Sequence, residues 1–481
     1  MSRLYVIVSF FLVLASCQRP HHVRQMETLP PIYPDYVDVT IPENIAPLNF
    51  LMRGAPERME VYIHGNHGAM TVRGRSAIAM PLKRWRQLLA DHRGDSLTVE
   101  VTARVEGEWQ QYRSFVWHVA PDPVDAYLTY RLIEPGYEVW NQIQLIQRDV
   151  TSFDERVIAD NQLTEGRCMN CHISGKGDAS LTMFHVRGQG GGTILNRDGR
   201  LRKLALRTDS MMSAGVYGDV HPSGRFGVFS SNVVIPAFHA YGSERLEVYD
   251  DGSDLVVADF DNHTILRPGH LNGEVSLETF PVFSPDGRFI YYCVASAVEL
   301  PEQLRDLQYH LCRVTFDAES GAVGTDVDTV WHAGSNSGSA SHPKVSPDGR
   351  YLLFTKAAYG TFPIWHREAE LQLIDLQTGM VDSLLHVNGP NSDTYHSWSR
   401  NSRWFVFASK RDDGIYGKPY FCYVDGQGKA HKPFVLPQRH PSKYDVMLKS
   451  FNLPELMSTP VPFDAMDVAH LFRRGEAERF E

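Results

Sequence analysis

The chain lacks several things, and each absence narrows what it can be. No stretch beyond the first twenty residues has the ~20 consecutive apolar residues that cross a bilayer as a helix. There is no basic excess: 47 Lys and Arg stand against 57 Asp and Glu, a formal charge of −10. Binding to nucleic acid needs a basic face, so that class is disfavoured. No Gly-x-Ser-x-Gly elbow occurs, which argues against a serine hydrolase of the prolyl-oligopeptidase kind. The glycines of Arg187-Gly-Gln-Gly-Gly-Gly-Thr193 lack the Lys-Ser/Thr of a phosphate loop and read as a hairpin turn. Cysteine is scarce, six in 481 residues, and only Cys168 and Cys171 are closely spaced. A zinc site of the usual two-pair kind therefore has no second pair.

What is present begins with export. Leu4 to Ala15 is almost wholly apolar behind Arg3 and reads as a signal-peptide core. Leu14-Ala15-Ser16-Cys17 resembles the lipobox of bacterial lipoproteins. The resemblance implies a signal peptide over 1–16, lipid on the Cys17 thiol, and a cell-envelope location on the periplasmic side or at the outer membrane. An ordinary secretory signal with a chance cysteine is the alternative. The proline-bearing stretch 17–36 is then a tether. In an oxidising compartment Cys293 and Cys312, which flank a strand-loop-strand unit, are a possible disulfide, leaving Cys422 as a buried thiol.

A length of 481 residues suggests two domains. The 21 Tyr, 24 Phe and 8 Trp suit strands. Residues 37–122 contain short strands between Gly, Pro and Asn turns, with one helical stretch, Pro81-Leu-Lys-Arg-Trp-Arg-Gln-Leu-Leu89. They read as a small β-sandwich of immunoglobulin-like character. Beyond them four segments repeat: "GDVHPSGRFGVFSSN" from Gly218, "PVFSPDGRFIYYCVAS" from Pro281, "PKVSPDGRYLLFTKAA" from Pro343 and "HSWSRNSRWFVFASK" from His396. Each has a polar turn, an arginine (Arg225, Arg288, Arg350, Arg403) and an apolar strand, then a later strand ending in Asp. Proline presets the turn, Asp bonds back to the backbone and Gly takes positive φ. Two hairpins per repeat make one four-stranded blade, so 123–456 is expected to be an all-β propeller of six or seven blades. Residues 457–481 carry helical spacing at Met466, Val468, Leu471 and Phe472 and are expected to be a helical tail.

The segment "SWSRNSRWFVFASKRDDGIYGKPYFCYVDGQG" resembles the TolB-type propeller repeat, departing from it where Arg400-Asn401-Ser402 replaces Pro-Asp-Gly. The resemblance implies the fold and says little about chemistry.

Chemistry enters at Cys168-Met169-Asn170-Cys171-His172. Sequence context places the motif in a loop-rich insertion, about 160–190, after a strand over 139–147 and a short helix over 151–161. Zinc completed by His172 and His185 and a thioredoxin-like redox pair are alternatives, but the β-hairpin surroundings offer no βαβ unit. Covalent haem fits better: two thiols add to the porphyrin vinyl groups and the next imidazole reaches iron. On this reading Cys168 and Cys171 bind one haem c and His172 is the proximal ligand. His185 or Met183 is the candidate distal ligand, with Met211 and Met212 further off. The other histidines, His342 and His396 among them, are scattered and read as structural or surface residues.

Lipobox, sandwich, CxxCH and propeller repeats together resemble exported Bacteroidetes propeller proteins bearing a cytochrome-type haem motif. "CMNCH", "HVRGQGGGT" at His185 and "KSFNLPE" at Lys449 carry the resemblance. It implies a lipid-anchored electron-transfer protein serving periplasmic or membrane redox partners, more a carrier than an enzyme. A binding scaffold for protein, peptide or glycan with a structural or sensing haem, and a haem peroxidase or reductase, are the alternatives.

Overall fold

A computed structural model describes residues 23–135, 140–175, 177–238, 246–273 and 275–481, without the side chains of Cys171 and Phe238. The first 22 residues, and with them the Cys17 lipid anchor and the signal peptide, lie outside that set. Among the described residues no helix is long and apolar enough to cross a membrane.

Why the repeats fold alike is visible in their turns. In Ser284-Pro-Asp-Gly287 the Ser284 hydroxyl donates to Asp286 (2.6 Å) and accepts from Phe289 N (3.0 Å), while Asp286 also accepts from Arg288 N (3.1 Å). Ser346, Asp348, Arg350 and Tyr351 repeat the pattern. Gly224, Gly287 and Gly349 all sit near φ +74°, which glycine adopts without steric cost. In the deviant fourth turn Ser402 takes that conformation (φ 60°) and its hydroxyl accepts from Asp348 N of the preceding blade. Two of the repeat arginines pair with the terminal Asp of the third strand, Arg225 with Asp259 (2.6 Å) and Arg350 with Asp375 (3.2 Å), while Arg288 pairs with Asp286 of its own turn (2.7 Å).

These hairpins build a six-bladed propeller of antiparallel four-stranded sheets. From the axis outward, blade two starts at Met169–Gly175, blade three at Gly215–Val220, blade four at Ser276–Phe283, blade five at Ser339–Val345 and blade six at Asp393–Trp398. Blade one is assembled from both ends of the propeller segment. Its inner strand, Ser450–Met457, pairs with Tyr127–Ile133, followed by Gln144–Asp149 and Glu155–Asp160. Each inner strand touches the next, so the six close into a ring. Apolar clusters fill the seams between neighbouring blades, as between blades three and four, where Val228 and Val257 meet Phe283 and Ile290.

Several expectations need correction. Residues 160–190 are no insertion: they supply the two innermost strands of blade two, Met169–Gly175 and Asp178–Val186. The helix expected over 151–161 is a hairpin, because Asp149 accepts from Thr151 N (2.8 Å) and turns the chain. The β-branched Val157 can then pair with Ile146. Cys293 and Cys312 are free thiols. In the register Cys293 faces Leu311 while Cys312 faces Tyr292, so the two side chains project from opposite sides of the sheet.

Before the propeller, the described strands form one seven-stranded sheet with parallel pairs at both Val39–Pro42/Phe115–Ala120 and Arg24–Gln25/Glu108–Gln111. The helix Leu82–Asp91 packs on this sheet, with Trp85 edge-on to Trp117 at 5.6 Å, and beside the short ladder Ile32–Tyr33/Leu51–Met52 the described strands form no second full sheet of a sandwich. Part of the expected tether is therefore folded onto this domain. Trp404 Nε1 of blade six donates to Asp122 O (2.9 Å), and Arg53 pairs with Asp445 (2.8 Å), joining domain and propeller. The tail forms a helix, Ala465–Arg474, with an Asp464 capping box, and then adds Glu478–Arg479 in parallel to blade two.

Candidate functional site

Every blade bulges at the same level. The register slips between Asn170 and Ile173, Thr279 and Val282, and Ser341 and Lys344, and blade one slips opposite Leu453–Pro454. Blades three and six slip at Gly215/Tyr217 and Thr394/His396. A bulge adds an unpaired residue and re-aims side chains. Phe280, His342, Tyr395 and Leu453 take left-handed φ of 48–52° there, a conformation that costs of order 1–3 kcal/mol in a non-glycine residue. Cys171–His172 is thus the bulged dipeptide of blade two. It corresponds to Phe280–Pro281 in blade four, His342–Pro343 in blade five and Leu453–Pro454 in blade one.

The bulges surround a cavity of about 370 Å³ on the propeller axis, lined from all six blades. That volume lies in the range of small-molecule and cofactor sites. Its walls are aromatic: Trp140, Tyr217, Phe280, Phe362, Trp365 and Tyr395. Arg131, Arg187 and Lys344 supply cations, and Glu455 lies 3.7 Å from Lys344. Burial raises the Glu455 carboxyl above its ordinary value despite Lys344. A second, smaller cavity lies beyond the Lys344 and Glu455 side chains, which line both. One wall comes from the long hairpin of blade three, Phe226–Phe238 and Leu246–Asp259, through Val234, Pro236 and Val248. That hairpin is fastened to blade five where Glu247 accepts from Tyr359 Oη (3.0 Å).

His172 lines this cavity, as does Cys168 at the entry to the same strand. The His172 ring is buried and, among the described residues, neither nitrogen has a hydrogen-bond partner. The carbonyls of Thr129 and Leu453 lie close without completing a hydrogen bond of ordinary geometry. Burial, reinforced by Arg131 and Lys344, drives its pKa down to about 3, so the imidazole is neutral. A buried imidazole with no partner costs ~1–3 kcal/mol, and a bound ligand offsets that cost. The Cys171 side chain lies outside the described set.

The structure does not bring His185 or Met183 to the cavity. His185, on the next strand, pairs with Asn170, and its Nδ1 meets Thr193 Oγ1 (3.2 Å). Burial, then the Arg187 charge, lowers its pKa to about 4. Met183 packs with Leu195 and Phe229 between blades two and three, and Met211 belongs to the same cluster. Met212 is exposed near Gly252. Two histidines that sequence reasoning set aside do line the cavity: His342 and His396. His396 Nε2 donates to Leu353 O (2.9 Å), leaving Nδ1 unpartnered. Burial, then the charges of His396 and Lys344, holds His342 well below the usual imidazole value. The missed signal was positional: His342 stands at the bulge before its repeat turn as Cys171 does in blade two, and His396 one position later, as His172 does.

Among the described residues no group of three or more His, Cys, Asp or Glu side chains converges on a metal site, so zinc held by His172 and His185 is not assembled. Of the groups a c-type haem would need, the described residues place the His172 imidazole and the Cys168 thiol on one wall, with aromatic side chains and cations around the cavity.

No family model and no curated protein matches the chain. Among solved structures it is similar to a puromycin-hydrolyzing peptidase of Mycobacterium tuberculosis, at 12% identity over 86% of this chain and 57% of that one, TM-score 0.36. It is also similar to the periplasmic gluconolactonase of Pseudomonas aeruginosa (14%, 65% and 96%, TM-score 0.33). A prolyl endopeptidase gives 12%, 67% and 50%, with TM-score 0.31. The chain thus spans little more than half of the peptidase it matches. At these identities and TM-scores the likeness carries no argument about this chain and transfers no activity.

Proposed function

We propose that the chain is an exported, lipid-anchored c-type haem protein that passes single electrons between partners in the cell envelope. The observation that carries this reading is the partnerless imidazole of His172 beside Cys168 on the wall of an aromatic axial cavity. The thiols of Cys168 and Cys171 would hold one haem, and His172 would bind its iron. Arg131, Arg187 and Lys344 would receive its carboxylates. A c-type haem supplies reversible one-electron exchange at iron, tuned by axial ligand and burial. The protein's own part is to exclude water with aromatic walls, keep His172 neutral and set positive charge beside the ring. The location, the Cys17 anchor and the likeness to exported Bacteroidetes propeller proteins rest on the sequence motifs. In the same reading the N-terminal domain is a reduced immunoglobulin-like unit, with the helix Leu82–Asp91 in place of its second sheet.

One observation favours a second reading. Aromatic walls with three cations also suit a small anionic aromatic ligand, and the motif lies on an extended strand. The propeller would then be a binding scaffold without haem.

Expression of the full chain with haem-attachment machinery decides between them. Peroxidase staining of the denatured protein should show covalent haem, absent from the Cys168→Ser, Cys171→Ser variant. An unstained wild type means the binding-scaffold reading is the better one.

A further inference from the structure

The His172 strand is not the only one that offers the cavity an imidazole, and the ring places one opposite it. In a closed ring of six blades, blade two faces blade five across the axis. The bulge of blade five carries His342–Pro343 where blade two carries Cys171–His172. Both histidines line the same cavity. The blade-five strand reaches His172 electrostatically, because the Lys344 ammonium, two residues beyond His342, acts on the His172 ring.

The bulge fixes the His342 backbone at φ 52°, the conformation that Phe280, Tyr395 and Leu453 share at the same level. The Phe280 ring lies against the His342 ring, tilted by 32° with centroids 3.9 Å apart, and Tyr395 meets it edge-on at 4.9 Å. Nδ1 is sealed from solvent and has no hydrogen-bond partner, although the residue as a whole is only half-buried. Nε2 is thus the nitrogen left on the cavity side. His185 is committed to Thr193 and Met183 to the seam with blade three, while His396, which donates Nε2–H to the Leu353 carbonyl and keeps an unpartnered Nδ1, stands on blade six and not opposite His172.

We infer that His342 would be the second protein ligand to the iron of a bound haem, offered from the blade opposite the one that carries His172. This rests on the haem reading above. Two imidazoles leave no open coordination site, so they define a carrier and not a catalyst, with a lower potential than a His/Met pair.

The test uses the full chain loaded with covalent haem and reads spectra, not turnover. The dithionite-reduced wild type should show a six-coordinate low-spin spectrum that carbon monoxide does not change on mixing. His342→Ala should bind carbon monoxide at once. His342→Met should remain six-coordinate with a raised potential, which keeps the test usable should the alanine variant fold poorly. His185→Gln should match the wild type. Immediate carbon monoxide binding by stained wild type, or a His342→Ala spectrum identical to wild type, overturns the assignment of His342 and leaves the haem reading standing. Wild type with no covalent haem overturns both.

Discussion

Blades two and four carry the same bulge on the same kind of inner strand, and they use it differently. Blade four fills the position with Phe280–Pro281, and the strand continues into Phe283, which packs against His221 and Phe316 with centroids 5.0 Å apart. Blade two fills it with Cys171–His172 and leaves the His172 nitrogens without partners. The propeller therefore separates two tasks that one sequence pattern could blur. Stability sits in the seams between blades, while the level of the bulges is free to hold reactive groups.

Substitutions should expose that difference. Phe283→Ala in blade four removes a ring that is 2% exposed and should cost about 3–5 kcal/mol, read as a lowered denaturation midpoint at unchanged slope. A smaller loss would mean the seam collapses around the gap.

Asp250 probes the border of blades three and four. Both of its oxygens are buried and complete no hydrogen bond of ordinary geometry, and burial raises its pKa to about 7 against the opposing pull of the Asn232 side chain. A carboxyl with a folded-state pKa above its unfolded value keeps its proton longer in the native state. Its contribution is thus most favourable near pH 4 and is lost as pH rises to about 7. Asp250→Asn should therefore stabilise the protein by up to about 4 kcal/mol at pH 8 and by almost nothing at pH 4. A gain of equal size at both pH values would contradict the burial argument.

His172→Ala should change stability by no more than about 1 kcal/mol in haem-free protein, since lost packing and relief of an unpartnered ring oppose each other. A large loss in urea denaturation would show that His172 is a core residue and blade two no different from blade four.

Much of the propeller was legible because its turns are local chemistry. Ser-Pro-Asp-Gly writes its own hydrogen bonds and its own positive φ, so four blades could be found from short strings. Blade two escaped because its hairpin turns directly at Gly175–Asp178 without that string. Blade one escaped because its inner strand, Ser450–Met457, comes from the far end of the chain. Cys168 and His172 were found because their motif is contiguous. His342 was not, because only closure of the ring brings blade five opposite blade two. The disulfide failed for a one-residue reason: Cys293 and Cys312 lie on adjacent strands but out of register by one, which no spacing rule reads.

Whether the axial cavity holds a haem through Cys168, Cys171 and His172 is settled most directly by mass. The denatured full chain is weighed after expression with and without haem-attachment machinery. With the machinery, the wild type should gain the mass of one haem and the Cys168→Ser, Cys171→Ser variant should gain none. Wild type and variant that both lack haem would contradict the proposal.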